Sequence, residues 1–254
     1  MGTGWARGAL WMLALCWVLW GAPAHTAVPE RAVYLYAITA NGADIGRHRL
    51  AISRVGERTT VEISIRILMR VAGIAVYRMD HDSTEEWVAD RLVSLRAFSV
   101  ENGRRFTLEA KREGDTLVVQ GERGTLTLPG TSEPVSYWRP SMLKTGVYFD
   151  TQWGSVLDLS VQEEGADQVD GAPTRRFRLS GTEILNGRRA TSPWLSLSVW
   201  TRADGVFAAK QFRYGGRDIR YTLLPTGAAE PPPLPPITNR GVVAANREEP
   251  AQSR

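Results

Sequence analysis

The sequence predicts an all-β domain, an antiparallel meander forming a strongly curved sheet or barrel, with one short helical or irregular covering segment. Three observations predict it. Val61, Ile63, Ile65, Ile67 and Met69 alternate with Thr60, Glu62, Ser64, Arg66 and Leu68, which gives one strand a nearly continuous apolar face. Turn formers recur at short intervals along the chain. Walker patterns, glycine-rich phosphate loops and the βαβ alternation that accompanies dinucleotide fingerprints are missing.

Taken in order, residues 1–24 read as a signal peptide. Arg7 precedes an apolar run from Ala9 to Trp20, and Gly21-Ala22-Pro23-Ala24 supplies the small residues a signal peptidase reads. A run of about a dozen residues is short beside the roughly 20 of a membrane-spanning helix. Cleavage is expected after Ala24, with Ala27 as the second candidate. The single cysteine, Cys16, lies inside the run. Leu15 is too large for the position before a lipid-modified cysteine, so the mature chain is expected to hold no thiol, which excludes disulfides, cysteine nucleophiles and Cys-ligated zinc. A periplasmic or secreted location follows.

Residues 25–225 are expected to form one β domain with a real core. Leu195, Leu197 and Val199 alternate with Ser196, Ser198 and Trp200, as a second half-buried strand. The turn signals are Asn41-Gly42, Val55-Gly56-Glu57, Asn102-Gly103, Glu113-Gly114-Asp115, Asn186-Gly187, Ala203-Asp204-Gly205 and Gly215-Gly216. All contain residues that accept positive φ, as tight hairpins require. Between Pro129 and Asp150 the alternation stops. A short helix beginning near Pro140 or Ser141, with Tyr137, Trp138, Met142 and Leu143 on its apolar side, is expected to cover one end of the sheet. From Thr226 to Arg254 the composition turns to Glu230, a run of prolines and polar residues, which reads as a disordered tail.

Charge and chemistry narrow the function classes. Lys111, Lys144 and Lys210 are the only lysines, and the remaining basic groups are dispersed arginines that form no stripe. Nucleic acid is therefore not an expected partner. Arg47, Arg49, Arg66, Arg78, Arg176 and Arg178 fall within strands, which suits a domain that is not an integral membrane protein better than a lipid-facing barrel. In Asp80-His81-Asp82 the carboxylates point away from the imidazole in an extended strand, so no metal is expected. The pairs Glu85-Glu86 and Glu163-Glu164 likewise point apart and read as solvated faces. His48 and His81 are the only bases for a hydrolase, and no glycine-flanked nucleophile turn accompanies them. No catalytic residue and no cofactor is assigned. Four of the nine tryptophans precede residue 25, which leaves Trp87, Trp138, Trp153, Trp194 and Trp200. Their plainest role is core packing. The functional alternative is an apolar cavity or groove lined by Trp138, Met142 and Trp153.

Gly42-Ala43-Asp44-Ile45-Gly46-Arg47-His48, Tyr77-Arg78 with His81, Glu85 and Trp87, Leu92 to Ala97 before Asn102-Gly103, and Ser136-Tyr137-Trp138-Arg139-Pro140 follow one another in this order. Together they resemble an uncharacterised family of exported proteobacterial proteins, a domain of unknown function, over nearly all of the chain to Leu224. The resemblance implies a periplasmic all-β domain of the kind that handles lipids or lipoproteins. It carries no activity. His48, His81, Glu85, Trp87, Tyr137 and Trp138 match its recurring positions. The expected function is binding of an apolar ligand, a lipid or lipoprotein-like molecule, or of an envelope partner, with Tyr137, Trp138, Met142, Trp153, His48, His81 and Trp87 at the site. An assembly factor acting through a strand edge or the proline-rich tail is the alternative, and a hydrolase using His48 or His81 the third reading.

Overall fold

The computed structural model describes residues 30–228, residue 186 excepted. The expectations for the signal segment, Cys16, His25 and residues 229–254 lie outside the described residues. Fifteen strands and one 3-10 turn make up the fold. The first eight strands are β1 (Glu30–Ala40), β2 (Ala43–Val55), β3 (Arg58–Val71), β4 (Ile74–Val88), β5 (Arg91–Glu101), β6 (Arg104–Glu113), β7 (Thr116–Gly121) and β8 (Gly124–Pro129). The 3-10 turn, Pro140–Met142, lies between β9 (Glu133–Pro134) and β10 (Gly146–Phe149). Then come β11 (Val156–Val169), β12 (Ala172–Leu185), β13 (Arg188–Thr201), β14 (Phe207–Tyr214) and β15 (Arg217–Leu223).

All fifteen strands belong to one curved sheet. Chain neighbours pair from β1 to β8 and from β9 to β15, while β1 pairs with β15, with Tyr36 opposite Leu223. The first and last strands thus meet in the middle of the sheet, and its edges are β8 and β9. No backbone ladder joins those two edges, so the sheet is barrel-like and open along a seam. We call β1–β8 and β9–β15 its two arms. Pairing is antiparallel except between β9 and β10.

The predicted alternation sets the core. Val61, Ile63, Ile67 and Met69 are buried, in a cluster that gathers Leu50, Leu95, Leu117 and Phe149. A second cluster joins Leu159, Leu179, Leu197, Val199 and Phe207 of the other arm to Met142 and Tyr148. Trp200, in the opposite phase, is buried on the outer face. Its indole N–H donates to Asp167 (2.8 Å), and Arg176 and Arg220 lie over its ring.

Ten of the hairpin connections are two residues long. Asn41-Gly42 (φ 48° and 83°) and Asn102-Gly103 (φ 48° and 86°) adopt the left-handed pair that such loops need. Ala89-Asp90 does the same without glycine (φ 45° and 63°), so it gave no turn signal. Strand directions place turns 41–42, 72–73, 102–103, 122–123 and 215–216 on one rim, here the upper, together with loop 150–155. Turns 56–57, 89–90, 114–115, 170–171 and loop 202–206 form the lower rim.

Candidate functional site

Strand β4 turns His81, Ser83, Glu85 and Trp87 inward, because side chains two apart share a face. Glu85 is fully buried. Its Oε2 accepts the indole N–H groups of Trp87 (2.8 Å) and Trp138 (2.9 Å), whereas Oε1 has no hydrogen-bond partner among the described residues. Burial pushes its carboxyl up to about 7, against the lowering effect of Trp138, Trp87, Ser136 and the Arg139 charge. The expectation of a solvated face holds for Glu86, which makes a solvent-exposed ion pair with Arg58, and is wrong for Glu85. The residues do point apart as expected, but the inward one meets two indoles.

Trp138 reaches Glu85 from the segment between β9 and β10, which covers the lower end of the sheet. The expected helix is present there as the 3-10 turn Pro140–Met142. The Trp87 and Trp138 rings meet edge to face at 5.6 Å, and the Arg139 guanidinium lies over both, 4.3 and 5.3 Å from their centroids. Arg139 also pairs with Asp90 on the lower rim (3.1 Å). Three residues beyond Arg139, Met142 is buried in the second core cluster. Tyr137 has φ 54°, a left-handed conformation that costs a bulky residue about 1–3 kcal/mol. The strain aims its ring at Phe207 and Lys210.

Those contacts belong to a small interior cavity. Tyr36, His48, Tyr137, Phe207, Ala209, Lys210 and Tyr221 line it, around a free volume of about 10 Å³. The Lys210 ammonium lies over the rings of Tyr137 (4.1 Å) and Tyr221 (4.0 Å). Burial nonetheless brings the amine down to about 7, where charged and neutral forms coexist at physiological pH. His48 stacks on Tyr36 (5.1 Å) and its Nε2 has no hydrogen-bond partner among the described residues. Burial first, then Lys210 and His81, hold its imidazole neutral. His48 and His81 lie on the same level, each opposite Ile65 of β3.

The upper end is closed differently. Asp150 organises loop 150–155 by accepting the backbone N–H groups of Gln152 (2.9 Å) and Trp153 (2.7 Å) through Oδ1 and of Ser155 through Oδ2. Trp153 is thereby set edge to face between Phe106 of one arm and Trp194 of the other, at 6.2 and 5.8 Å. Thr151 faces His81 Nε2 at 3.4 Å, while His81 Nδ1 shares a 2.8 Å hydrogen bond with Ser99. This Ser–His contact is the arrangement nearest to a nucleophile and base, but Ser99 is 1 % exposed and a hydroxyl faces the far nitrogen. Burial lowers His81 to about 4.

The predicted site residues therefore divide into groups. Trp87 and Trp138 meet on Glu85, Tyr137 and His48 share the Lys210 cavity, and Trp153 stands apart at the upper end. Trp138, Met142 and Trp153 do not surround one cavity. Sequence reasoning missed Tyr36, Lys210 and Tyr221. The phase that places Phe212 inside also turns Lys210 inward, and that was the available signal. Gly46 of the ordered motif has a local structural role, since a Cβ there would lie 2.0 Å from the Arg66 carbonyl oxygen.

The family model described as "Domain of unknown function (DUF6134)" matches residues 36–224. Among solved structures, the chain is similar to a beta-barrel-like protein of another domain of unknown function, DUF1849, from Brucella abortus. The TM-score is 0.56 at 15% identity, over 78% of this chain and 97% of that one. A likeness at this identity is one of fold. No curated protein matches the chain.

Proposed function

The chain belongs to this family of unknown function, DUF6134, and on that premise we propose that it is an exported, non-enzymatic binding domain of the cell envelope that holds an apolar ligand between the arms of its sheet. The single observation that carries the reading is the seam. Two apolar clusters line the interior of a sheet that no backbone ladder closes between β8 and β9 among the described residues, and the segment 135–145 between β9 and β10 covers that interior with Trp138, Tyr137 and Met142. With about 10 Å³ free, a ligand of fatty-acid size enters by displacing those side chains. Glu85 and Lys210 would then be polar anchors in an otherwise apolar site, the usual composition of a small-molecule pocket.

Native mass spectrometry of the protein purified from its own envelope fraction, with tryptophan emission titrated by oleate and by phospholipid, tests this reading. A bound apolar mass and a change in emission support it. A ligand-free mass together with unchanged emission overturns it.

A second reading rests on a different observation. Strand β8, Gly-Thr-Leu-Thr-Leu-Pro, is a sheet edge with no charged side chain, and charge is a common device that keeps other strands from pairing with an edge. An envelope partner could add a strand there. Thr127→Pro should then abolish recovery of that partner and leave oleate binding intact.

A further inference from the structure

Two hairpins extend beyond their neighbours at the upper rim. In the first, β2 stops pairing with β3 at Ile67 and β5 stops pairing with β4 at Met79, so residues 68–77 form a two-stranded arm of about four residues per strand, or roughly 13 Å. In the second, β14 begins to pair with β13 only at Leu197, so the strand from Arg188 to Ser196 reaches past it. Hairpin tips are ordinarily polar. These carry Val71 (44 % exposed), Ile74 (53 %) and Leu185 (45 %), with Trp194 (36 %) at the base of the second.

The charges around these apolar groups are unbalanced in one direction. Most carboxylates of the upper rim are paired with arginine: Asp44 with Arg47, Glu122 with Arg104, Asp158 with Arg189, Glu183 with Arg123 and Asp218 with Arg213, while Glu101 is hydrogen-bonded by Tyr77 and Gln152 and Asp150 by backbone N–H groups. Arg70 and Arg188, beside the two tips, have no acidic partner among the described residues. Arg70 donates only to the Gly73 carbonyl (3.3 Å), and exposed apolar side chains flanked by guanidinium groups that lack a carboxylate, with an indole at the boundary, are the chemistry of an interfacial contact with anionic lipid.

We propose that the upper rim docks on the surface of an anionic phospholipid bilayer, with Val71, Ile74 and Leu185 entering the headgroup region and Arg70 and Arg188 meeting phosphate. No helix among the described residues is long and apolar enough to cross a membrane, and the proposed contact is made by the hairpin tips. The docking does not depend on ligand uptake by the interior.

Co-flotation of the protein with phosphatidylglycerol-rich and with pure phosphatidylcholine vesicles tests the proposal. Wild-type protein should float with the anionic vesicles. Val71→Asp/Ile74→Asp should lose flotation, and Arg70→Gln/Arg188→Gln should weaken it by about tenfold or more, with circular dichroism spectra and melting temperatures unchanged. Both variants should still respond to oleate in vesicle-free buffer, which separates a failure here from a failure of the binding reading. Wild type that stays with the buffer, or variants that float as well as wild type, overturns the proposal. So does a dimer in solution that the aspartate pair dissolves without any flotation, because the tips would then join two copies of the chain.

Discussion

The two ends of the sheet are closed by opposite means. At the lower end, segment 135–145 inserts Trp138 onto a buried carboxyl and clamps the contact with Arg139. At the upper end, loop 150–155 is ordered by its own Asp150 and leaves apolar hairpin tips in solvent. One closure depends on a titratable group inside the core, the other on local backbone hydrogen bonds. On the proposed readings, the ligand enters at the lower end and the upper end meets the lipid surface.

The largest effect should come from breaking the lower closure. Trp138→Ala removes an indole and leaves Glu85 with one donor, and should cost about 3–5 kcal/mol in chemical denaturation. Trp153→Ala, at the upper end, should cost about 1–2 kcal/mol, and equal losses would erase the distinction between the ends.

Glu85→Gln sharpens it through pH. The carboxyl titrates near 4.5 when unfolded and at about 7 when folded. The folded state therefore binds more protons between these values, and wild-type stability falls as pH rises through that window. Relative to wild type, the variant should gain about 3 kcal/mol between pH 4.5 and pH 7, followed by denaturation at several pH values. A flat difference would show that Glu85 does not titrate inside the fold.

Lys210→Met should act with the opposite slope. The folded amine titrates at about 7 and the unfolded one at 10.5, so wild-type stability rises with pH across that interval. The variant should be more stable by about 1–3 kcal/mol below pH 7, a range discounted for partial solvent access to the side chain. That gain should shrink toward zero as pH approaches 10.5. The smallest effect belongs to the upper tips. Val71→Asp/Ile74→Asp should change stability by less than about 0.5 kcal/mol, because both side chains are exposed, and a larger loss would mean that the hairpin is part of the core.

Much of this architecture was legible in the sequence. The phase of Val61 to Met69 identified a buried face, Asn-Gly and Gly-Gly pairs located turns, and the loss of alternation around Tyr137-Trp138 located the covering segment. The Ala89-Asp90 turn was not legible, because neither residue is a glycine or an asparagine and the left-handed conformation is imposed by the flanking strands. The site was less visible than the fold. Trp138 meets Glu85 across 53 residues of chain, and Lys210 is enclosed by Tyr137 and Tyr221 from two separate elements. Pairwise meetings of this kind depend on the closing of the arms, and local periodicity carries no information about that.

On the proposed reading, an apolar ligand enters by displacing the lower closure. Amide hydrogen exchange over residues 132–143, measured with and without oleate, tests it most directly. Exchange in that segment should be faster when oleate is bound, with strands β2 to β4 unchanged. Bound oleate with exchange in 132–143 unaltered would contradict it.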